Sequence, residues 1–270
     1  TGGAPRVLAH MEDYLQTEGP DLKVFATSIT EQWAVIAVQG PKARDTIRPL
    51  VGDIDLSEAA FPHMSFREGR IAGVPCRLFR VSFTGESGYE INVAAGHGRA
   101  VWEAVYASGK AHAITPYGTE AMHVLRAEKG FIIVGQETDG TMTPDDVGLS
   151  GLVAKAKSDF VGRRSLTRPD IVAPDRRQLV GLLTDDPKEL LEEGAQIVAD
   201  KDQPVPVRML GHVTSSYWSP NCERCIALAV VAAGRHRIGQ NLFVTAPSGF
   251  TTARVAPPVF FDAEGVRLHA

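Results

Sequence analysis

The sequence predicts an α+β region followed by a small β-barrel or sandwich. Up to about residue 172, strand-like runs alternate with helical patterns, as expected when helices pack on a largely antiparallel sheet. From about residue 176, six short strand-like runs are separated by Gly, Pro and Asp turns. A stretch with a proline at each end, 169–174, marks the boundary. We therefore expect one domain over 1–172, truncated at its N-terminus, and a second over 176–270.

Hydrophobic spacing locates the individual elements. Helical spacing predicts helices at 4–17, 41–50, 98–108, 119–129 and 158–166. Alternation and β-branched residues predict strands at 24–30, 33–38, 78–83 and 89–93, then at 178–183, 195–198, 210–214, 226–231, 242–245 and 251–255. In the helix 119–129, which Gly130 closes, we expect Glu128 on the inner side and Arg126 and Lys129 reaching outward.

Composition narrows the class of protein. The 270 residues are 44% hydrophobic and carry a formal charge of −4, which supports a large core and argues against nucleic acid or an anionic membrane as the main partner. No apolar run approaches the roughly 18 residues of a membrane span. Three cysteines fit a reducing compartment, so we expect a cytoplasmic protein. The single Cys-x-x-Cys at 222–225 lacks a second pair, and we expect no metal site.

The stretch 82–91, Ser-Phe-Thr-Gly-Glu-Ser-Gly-Tyr-Glu-Ile, is the best candidate for a ligand site. Alternation on the strand after its turn places Tyr89 and Ile91 on one face and Glu90 on the other, beside glycines that allow close approach of a ligand. A carboxylate held on a strand can accept two parallel hydrogen bonds from a flat heterocycle. A polar turn with a solvated glutamate is the alternative that these residues leave open.

Other candidates are weaker, because no classical enzyme motif or dinucleotide glycine fingerprint occurs. Thr1 is a second binding candidate, since a Thr-Gly-Gly turn at a helix start presents backbone N–H groups. The polar stretch 135–146 is favoured as a solvated or interface loop. In 214–220, Tyr217 and Trp218 are expected on a loop, where they either stack on a ligand or cover the barrel edge. The chain begins directly in a helical pattern, which suggests a piece of a longer polypeptide.

Three motifs together resemble the aminomethyltransferase, or glycine-cleavage T-protein, family. Residues 83–91 resemble its Tyr-Thr-Gly-Glu-x-Gly-x-Glu-Ile, and residues 125–130, Leu-Arg-Ala-Glu-Lys-Gly, resemble its Leu-Arg-Leu-Glu-Ala-Gly. Residues 211–229 resemble its Gly-x-Val-Thr-Ser-Gly…Ser-Pro…Ile-Ala-Leu. Longer runs at 1–8, 30–34, 114–120 and 123–139 resemble one branch, the α subunits of heterotetrameric sarcosine oxidases.

This resemblance implies a fold and a function. The implied fold has ferredoxin-like α+β lobes and a C-terminal β-barrel around a folate channel. The implied function is capture of the one-carbon unit of oxidised sarcosine by tetrahydrofolate, giving 5,10-methylenetetrahydrofolate and glycine. Glu90 would pair with the pterin, and Thr1 would lie in or next to the pterin pocket. FAD, FMN and NAD are expected in the complete enzyme, bound outside this chain, together with β, γ and δ subunits.

Two departures from the family's motifs limit which of its functions are expected of this chain. The family's arginine near the start of the Leu-Arg-Leu-Glu-Ala-Gly helix is Met122 here, which puts aminomethyl-lipoyl transfer in doubt. The family's aspartate near the folate lies upstream of the Thr-Gly-Gly turn, so no catalytic acid or base is assigned. Three alternatives stay open: the C-terminal region of a dimethylglycine or sarcosine dehydrogenase, an aminomethyltransferase, or a non-catalytic folate-binding or assembly module contacting a partner through 135–146.

Overall fold

The computed structural model describes residues 2–269, which form two compact units. One unit contains the residues up to Ser82, residues 86–116 and those from Val266 onward, and the other contains residues 83–85 and 117–265. The domain boundary expected between 172 and 176 stays a prediction. In the described part of the chain, no helix combines the length and the hydropathy that crossing a membrane requires.

The first unit is built on a four-stranded antiparallel sheet with the strand order β1-β4-β3-β2. Its strands are β1 Trp33–Gln39, β2 Ser65–Ile71, β3 Val74–Arg80 and β4 Gly88–Ala94. Its helices are α1 Ala4–Thr17, α2 Ala43–Ile47 and α3 Gly98–Gly109. α1, α3, β1 and β4 lie where hydrophobic spacing predicted them, and α2 lies within the helix predicted at 41–50. β3 overlaps the strand predicted at 78–83 only at 78–80, and β2 was not predicted. The sequence of β2 is polar and does not by itself indicate a strand. This segment is a strand because it pairs with β3.

One face of this sheet forms the core of the unit. Tyr89, Ile91 and Val93 of β4 are fully buried, and they pack in one cluster with Ile47 of α2 and Val101 of α3. The two helices therefore cover the face to which the odd-numbered residues of β4 point. The even-numbered residues of β4 lie on the opposite face, as the period of two in a strand requires.

The segment after α1 differs from the prediction. No strand forms at 24–30: the chain is irregular there and enters a short 3-10 helix at Thr30–Gln32. Phe25 is 96% exposed, and α1 has no buried residue. A strand is stable only where its backbone groups find a neighbour, and residues 24–29 pair with none among the described residues. The helix predicted at 158–166 is also wrong, since only a 3-10 turn forms, at Arg164–Thr167.

The second unit contains helix α4, Thr119–Glu128, and a closed barrel of six antiparallel strands. Around the barrel the order is β10-β5-β8-β7-β6-β9. The strands are β5 Arg177–Thr184, β6 Gln196–Val198, β7 Met209–Ser219, β8 Arg224–Ala232, β9 Asn241–Ala246 and β10 Gly249–Ala256. The predicted barrel is thereby confirmed. The loop expected at 214–220 is wrong, because β7 continues to Ser219.

Gly211 shows how closely two barrel strands approach. It pairs with Val231 across the β7–β8 ladder, and a Cβ at this position would lie 1.8 Å from the carbonyl oxygen of Val230. The contact is with backbone, so no side-chain rotation can relieve it. Only glycine fits here without moving the strands apart.

We predict that Gly211→Ala lowers the free energy of unfolding by about 1–3 kcal/mol or more, because the added methyl group overpacks the ladder. Urea unfolding followed by circular dichroism measures the change. Gly96→Ala is the matched control, since a Cβ there meets nothing within 4 Å. Equal stability of the two variants would contradict the close approach of β7 and β8.

Candidate functional site

The connection between β3 and β4 is not a solvated turn in the first unit. Ser87 is buried, and its carbonyl accepts a hydrogen bond of 2.8 Å from the backbone N–H of Gly40. Glu86 forms an ion pair of 2.6 Å with Arg267, and only 16% of its side chain is exposed. These contacts fix the start of β4, and so they fix the position of Glu90 two residues beyond Gly88.

Glu90 lies in the middle of β4, on the sheet face opposite the core. Its partners across the ladder are Ala37 of β1 and Phe79 of β3. The residue is half-buried, whereas its neighbours Tyr89 and Ile91 are fully buried. Among the described residues, none donates a hydrogen bond to the Glu90 carboxylate and none forms an ion pair with it. The predicted alternation along β4 is present, and the carboxylate remains available to a ligand.

Aromatic and amide groups share this face with Glu90. The ring of Phe79 stacks on that of Phe66 at 5.4 Å between centroids. Gly88, two residues before Glu90, lies opposite Gln39, and a Cβ on Gly88 would come within 2.1 Å of the Gln39 side-chain oxygen. The Gln39 side chain therefore lies directly over Gly88, and only glycine leaves room for it there. A carboxylate and an aromatic ring together suit a flat ligand that carries N–H donors.

A second carboxylate on the same face has a different role. Glu68 of β2 pairs with Arg77 of β3 at 2.9 Å, and the Arg77 guanidinium lies 4.9 Å from the centre of the Trp33 ring. Glu68 and Arg77 face each other across the β2–β3 ladder, so the sheet itself holds the pair together. Since Glu68 is already paired, Glu90 is the stronger candidate for binding a ligand on this face.

In the second unit, α4 carries charged side chains that are fully buried. Arg126 is 0% exposed and forms an ion pair of 2.8 Å with Glu137, which is also 0% exposed. The Arg126 guanidinium also donates a hydrogen bond of 2.6 Å to the hydroxyl of Ser215 on β7, and that hydroxyl donates to Glu137. The expectation that Arg126 reaches outward is therefore wrong. Glu137 supplies a charge partner inside the fold that the helix sequence alone does not reveal.

The rest of the helix end is anchored in the same way. The Glu128 carboxylate accepts hydrogen bonds from the Ser219 hydroxyl at 2.5 Å and from the Asn221 amide at 2.8 Å. Lys129 is buried and pairs with Asp262 at 3.2 Å, so its expected outward position is also wrong. Glu128 does lie on the inner side, as predicted. These contacts attach the end of α4 to β7 and to the chain that follows β10.

The polar stretch 135–146 is partly buried and partly solvated, since Glu137 and Asp146 are buried in ion pairs whereas Asp139 and Asp145 are more than half exposed. Asp146 is 3% exposed and pairs with Arg176 at 2.5 Å, while Glu137 belongs to the buried pair already described. Burial alone would raise the pKa of Asp146, but hydrogen bonds from Arg176 and from the N–H and hydroxyl of Thr143 outweigh it and lower the pKa below 3.8. A contact of this stretch with a partner subunit stays a prediction.

The sequence-predicted site residues are only partly described by the structure. Glu90 is placed as above, and its role as a folate ligand stays a prediction. Thr1 lies outside the described residues. Within residues 2–269, no group of three or more His, Cys, Asp or Glu side chains is arranged to hold a metal ion. The burial of Arg126 and Lys129 was missed. The signal that could have found it is the run Arg-Ala-Glu-Lys at 126–129, which places charges on several sides of the last turn of the helix.

A four-stranded α+β unit and a closed six-stranded barrel define a T-protein type of fold. The GCVT N-terminal domain matches residues 1–157, and the glycine cleavage T-protein C-terminal barrel domain matches residues 177–262. The chain belongs to the glycine cleavage T-protein family. A solved structure of the glycine cleavage system aminomethyltransferase T from Bartonella henselae has the same fold, with a TM-score of 0.78 at 22% identity, over 97% of this chain and 67% of that one.

Named relatives fall into two groups. The sarcosine oxidase subunit alpha of Corynebacterium sp. (strain P-1) is 49% identical over 99% of this chain, and that of Rhizobium meliloti is 42% identical over 100%. This chain spans 28% of the length of each. The aminomethyltransferase of Thermotoga maritima is 32% identical over 88% of this chain, which covers 61% of its length. The predicted resemblance to sarcosine oxidase α subunits is therefore confirmed.

We predict that Glu137→Gln lowers the free energy of unfolding by about 3–5 kcal/mol, because it leaves the Arg126 charge buried without a counter-charge. Chemical denaturation measures the loss. The control is Arg99→Gln, which removes an exposed pair with Glu103 and should cost about 0–0.5 kcal/mol. Similar losses in both variants would show that the buried pair is not important for stability.

We also predict a pH dependence from Asp146. Its folded pKa is depressed, so its contribution to stability is present above the unfolded pKa and is lost as the pH falls through the folded value. The stability difference between the wild type and Asp146→Asn should therefore be large at pH 7 and shrink towards pH 3. Urea unfolding across this range measures it, with Asp185→Asn, an exposed aspartate, as control. A difference that stays constant with pH would contradict the assignment.

Proposed function

We propose that this chain is the tetrahydrofolate-binding part of a sarcosine oxidase α subunit. In this proposal it captures the one-carbon unit of oxidised sarcosine and yields 5,10-methylenetetrahydrofolate and glycine. The similarity to sarcosine oxidase α subunits over nearly the whole chain is the observation that carries the proposal. A weaker similarity to aminomethyltransferases supports the folate part of it, because both groups share the same domains.

The residues around Glu90 fit the reduced pterin of such a cofactor. Its carboxylate has no partner among the described residues, lies on a rigid strand, and stands next to the Phe79 ring. A pterin presents an exocyclic amine and a ring N–H side by side, and a carboxylate can accept both hydrogen bonds at once.

The chain's own contribution is binding and orientation. Tetrahydrofolate, when bound, supplies the nitrogen nucleophiles that take up the carbon. Glu90 fixes the ring plane and excludes water from the edge that it contacts, because both of its oxygens are then used by the ligand. The negative charge of Glu90 favours a ligand that presents hydrogen-bond donors at this edge over one that presents hydrogen-bond acceptors there. Thr1 is proposed as a second folate contact, and no acid or base of the reaction is assigned to a residue of this chain.

The remaining components belong to the complete enzyme in this proposal. FAD, FMN and NAD act in parts of the longer α subunit or in its partner subunits, which we propose to be β, γ and δ. The names of the relatives as a subunit imply that partners exist. Aminomethyl-lipoyl transfer is less favoured for this chain, because the arginine of the aminomethyltransferases is replaced by Met122.

We predict that Glu90→Gln weakens the binding of tetrahydrofolate by about tenfold to a hundredfold, because the paired hydrogen bonds lose the charge that strengthens them. Isothermal titration of the 270-residue chain with tetrahydrofolate under anaerobic conditions measures the affinity. Urea unfolding of the same samples confirms that the variant is folded.

The matched control is Glu103→Gln, which removes an exposed carboxylate on α3 and should leave the affinity unchanged. Equal affinities of the wild type and Glu90→Gln would refute the pterin assignment. Loss of binding in the control as well would show that net charge, rather than Glu90, governs the binding.

A further inference from the structure

Arg80, the last residue of β3, is a buried cation for which the described residues supply no counter-charge. It is 0% exposed, and one guanidinium nitrogen, Nη1, donates a hydrogen bond of 2.8 Å to the carbonyl of Phe61. Its other two nitrogens, Nε and Nη2, are buried and have no hydrogen-bond partner. Among the described residues, no carboxylate forms an ion pair with it. A buried, unpaired guanidinium costs several kcal/mol, so the arrangement calls for an explanation.

The other fully buried arginine, Arg126, and the partly buried Arg176 each have a carboxylate partner. Arg126 pairs with Glu137 at 2.8 Å, and Arg176 pairs with Asp146 at 2.5 Å. In both, the carboxylate comes from a segment distant in sequence that the fold brings to the guanidinium. Arg80 is as buried as Arg126, but its guanidinium donates only to a backbone carbonyl oxygen. The fold therefore brings no carboxylate of the described residues to Arg80.

Two histidines lie near Arg80 and are more exposed than it is. The rings of His63 and His269 meet edge to face, with 5.6 Å between their centroids. His63 is half-buried and His269 is exposed. Burial lowers the pKa of His63, and the nearby His269 and Arg80 lower it further. The basic groups His269 and Arg80 thus oppose the protonation of His63.

A further cation adds to the same region. The Arg67 guanidinium lies 5.2 Å from the centre of the Phe61 ring, and Phe61 is the residue whose carbonyl binds Arg80. The chain as a whole is acidic, with a formal charge of −4, so a cluster of cationic groups is a local exception. Such a cluster with N–H donors of different types is what oxyanions bind in proteins.

We propose that Arg80, His63 and His269 form a binding site for a small oxyanion, a carboxylate or phosphate group. The two imidazoles bind the anion through N–H donors on the solvent side, and the Arg80 charge stabilises it from the core side. A bound anion offsets the repulsion among the three groups, so its binding favours protonated His63. The site is independent of Glu90, which lies on the other face of the sheet.

The test follows the histidine resonances by NMR while inorganic phosphate, or formate, is added to the 270-residue chain at constant ionic strength with chloride. We expect the pKa of His63 to rise with added oxyanion. We expect His269→Gln to weaken the apparent affinity by about tenfold or more, because one charged donor is lost. His112→Gln, an exposed histidine of the same unit, is the matched control and should bind like the wild type.

Thermal unfolding gives a second readout that does not depend on His63 itself. Phosphate or formate should raise the Tm of the wild type and of His112→Gln, and should raise it less in His63→Gln, because ligand binding stabilises only the folded chain. A response to phosphate alone identifies a phosphate group, and a response to formate alone identifies a carboxylate. An equal response to chloride, an equal loss in His112→Gln, or an unchanged His63 pKa would overturn the proposal.

Discussion

The pleat of β4 is the constraint on which the first unit depends. Side chains of a strand alternate between its faces, so burying Tyr89 and Ile91 against the helices forces Glu90 onto the opposite face. A slip of one residue would bury the carboxylate and expose two large apolar side chains. The core and the candidate site are therefore fixed by the same register. The ladders to β1 and β3 hold that register on both sides of β4.

The second unit depends on a different kind of interaction, namely ion pairs and hydrogen bonds between side chains buried in the fold. Arg126, Glu137 and Ser215 come from a helix, a loop and a barrel strand, and each forms a hydrogen bond with the other two. Such networks add little stability compared with an apolar core, but breaking one partner is costly. Their effect is to specify one arrangement of α4 and loop 131–138 on β7. Arg80 in the first unit differs from these residues, because no carboxylate among the described residues pairs with it.

Several elements were predictable because their signals are local. The helices α1, α3 and α4 and the six barrel strands follow from hydrophobic spacing, turn residues and the glycine after α4. The strand predicted at 24–30 is wrong, because strand formation there depends on a partner that is not local in the sequence. Its residues favour a strand, but pairing needs a neighbour in space that propensity does not supply. The polar strand β2 was missed because its partner, rather than its own sequence, decides its conformation.

The sequence by itself determined the class of fold, the strand that carries Glu90 and the face to which Glu90 points, because alternation and turn chemistry act between near neighbours along the chain. Only the tertiary structure decided which charges are buried and with what partners. Arg126 meets Glu137 and Ser215, Lys129 meets Asp262, and Arg80 meets no carboxylate among the described residues. Electrostatic partners are chosen by distance in space, and residues up to 181 positions apart in the chain come into contact only once the fold has formed.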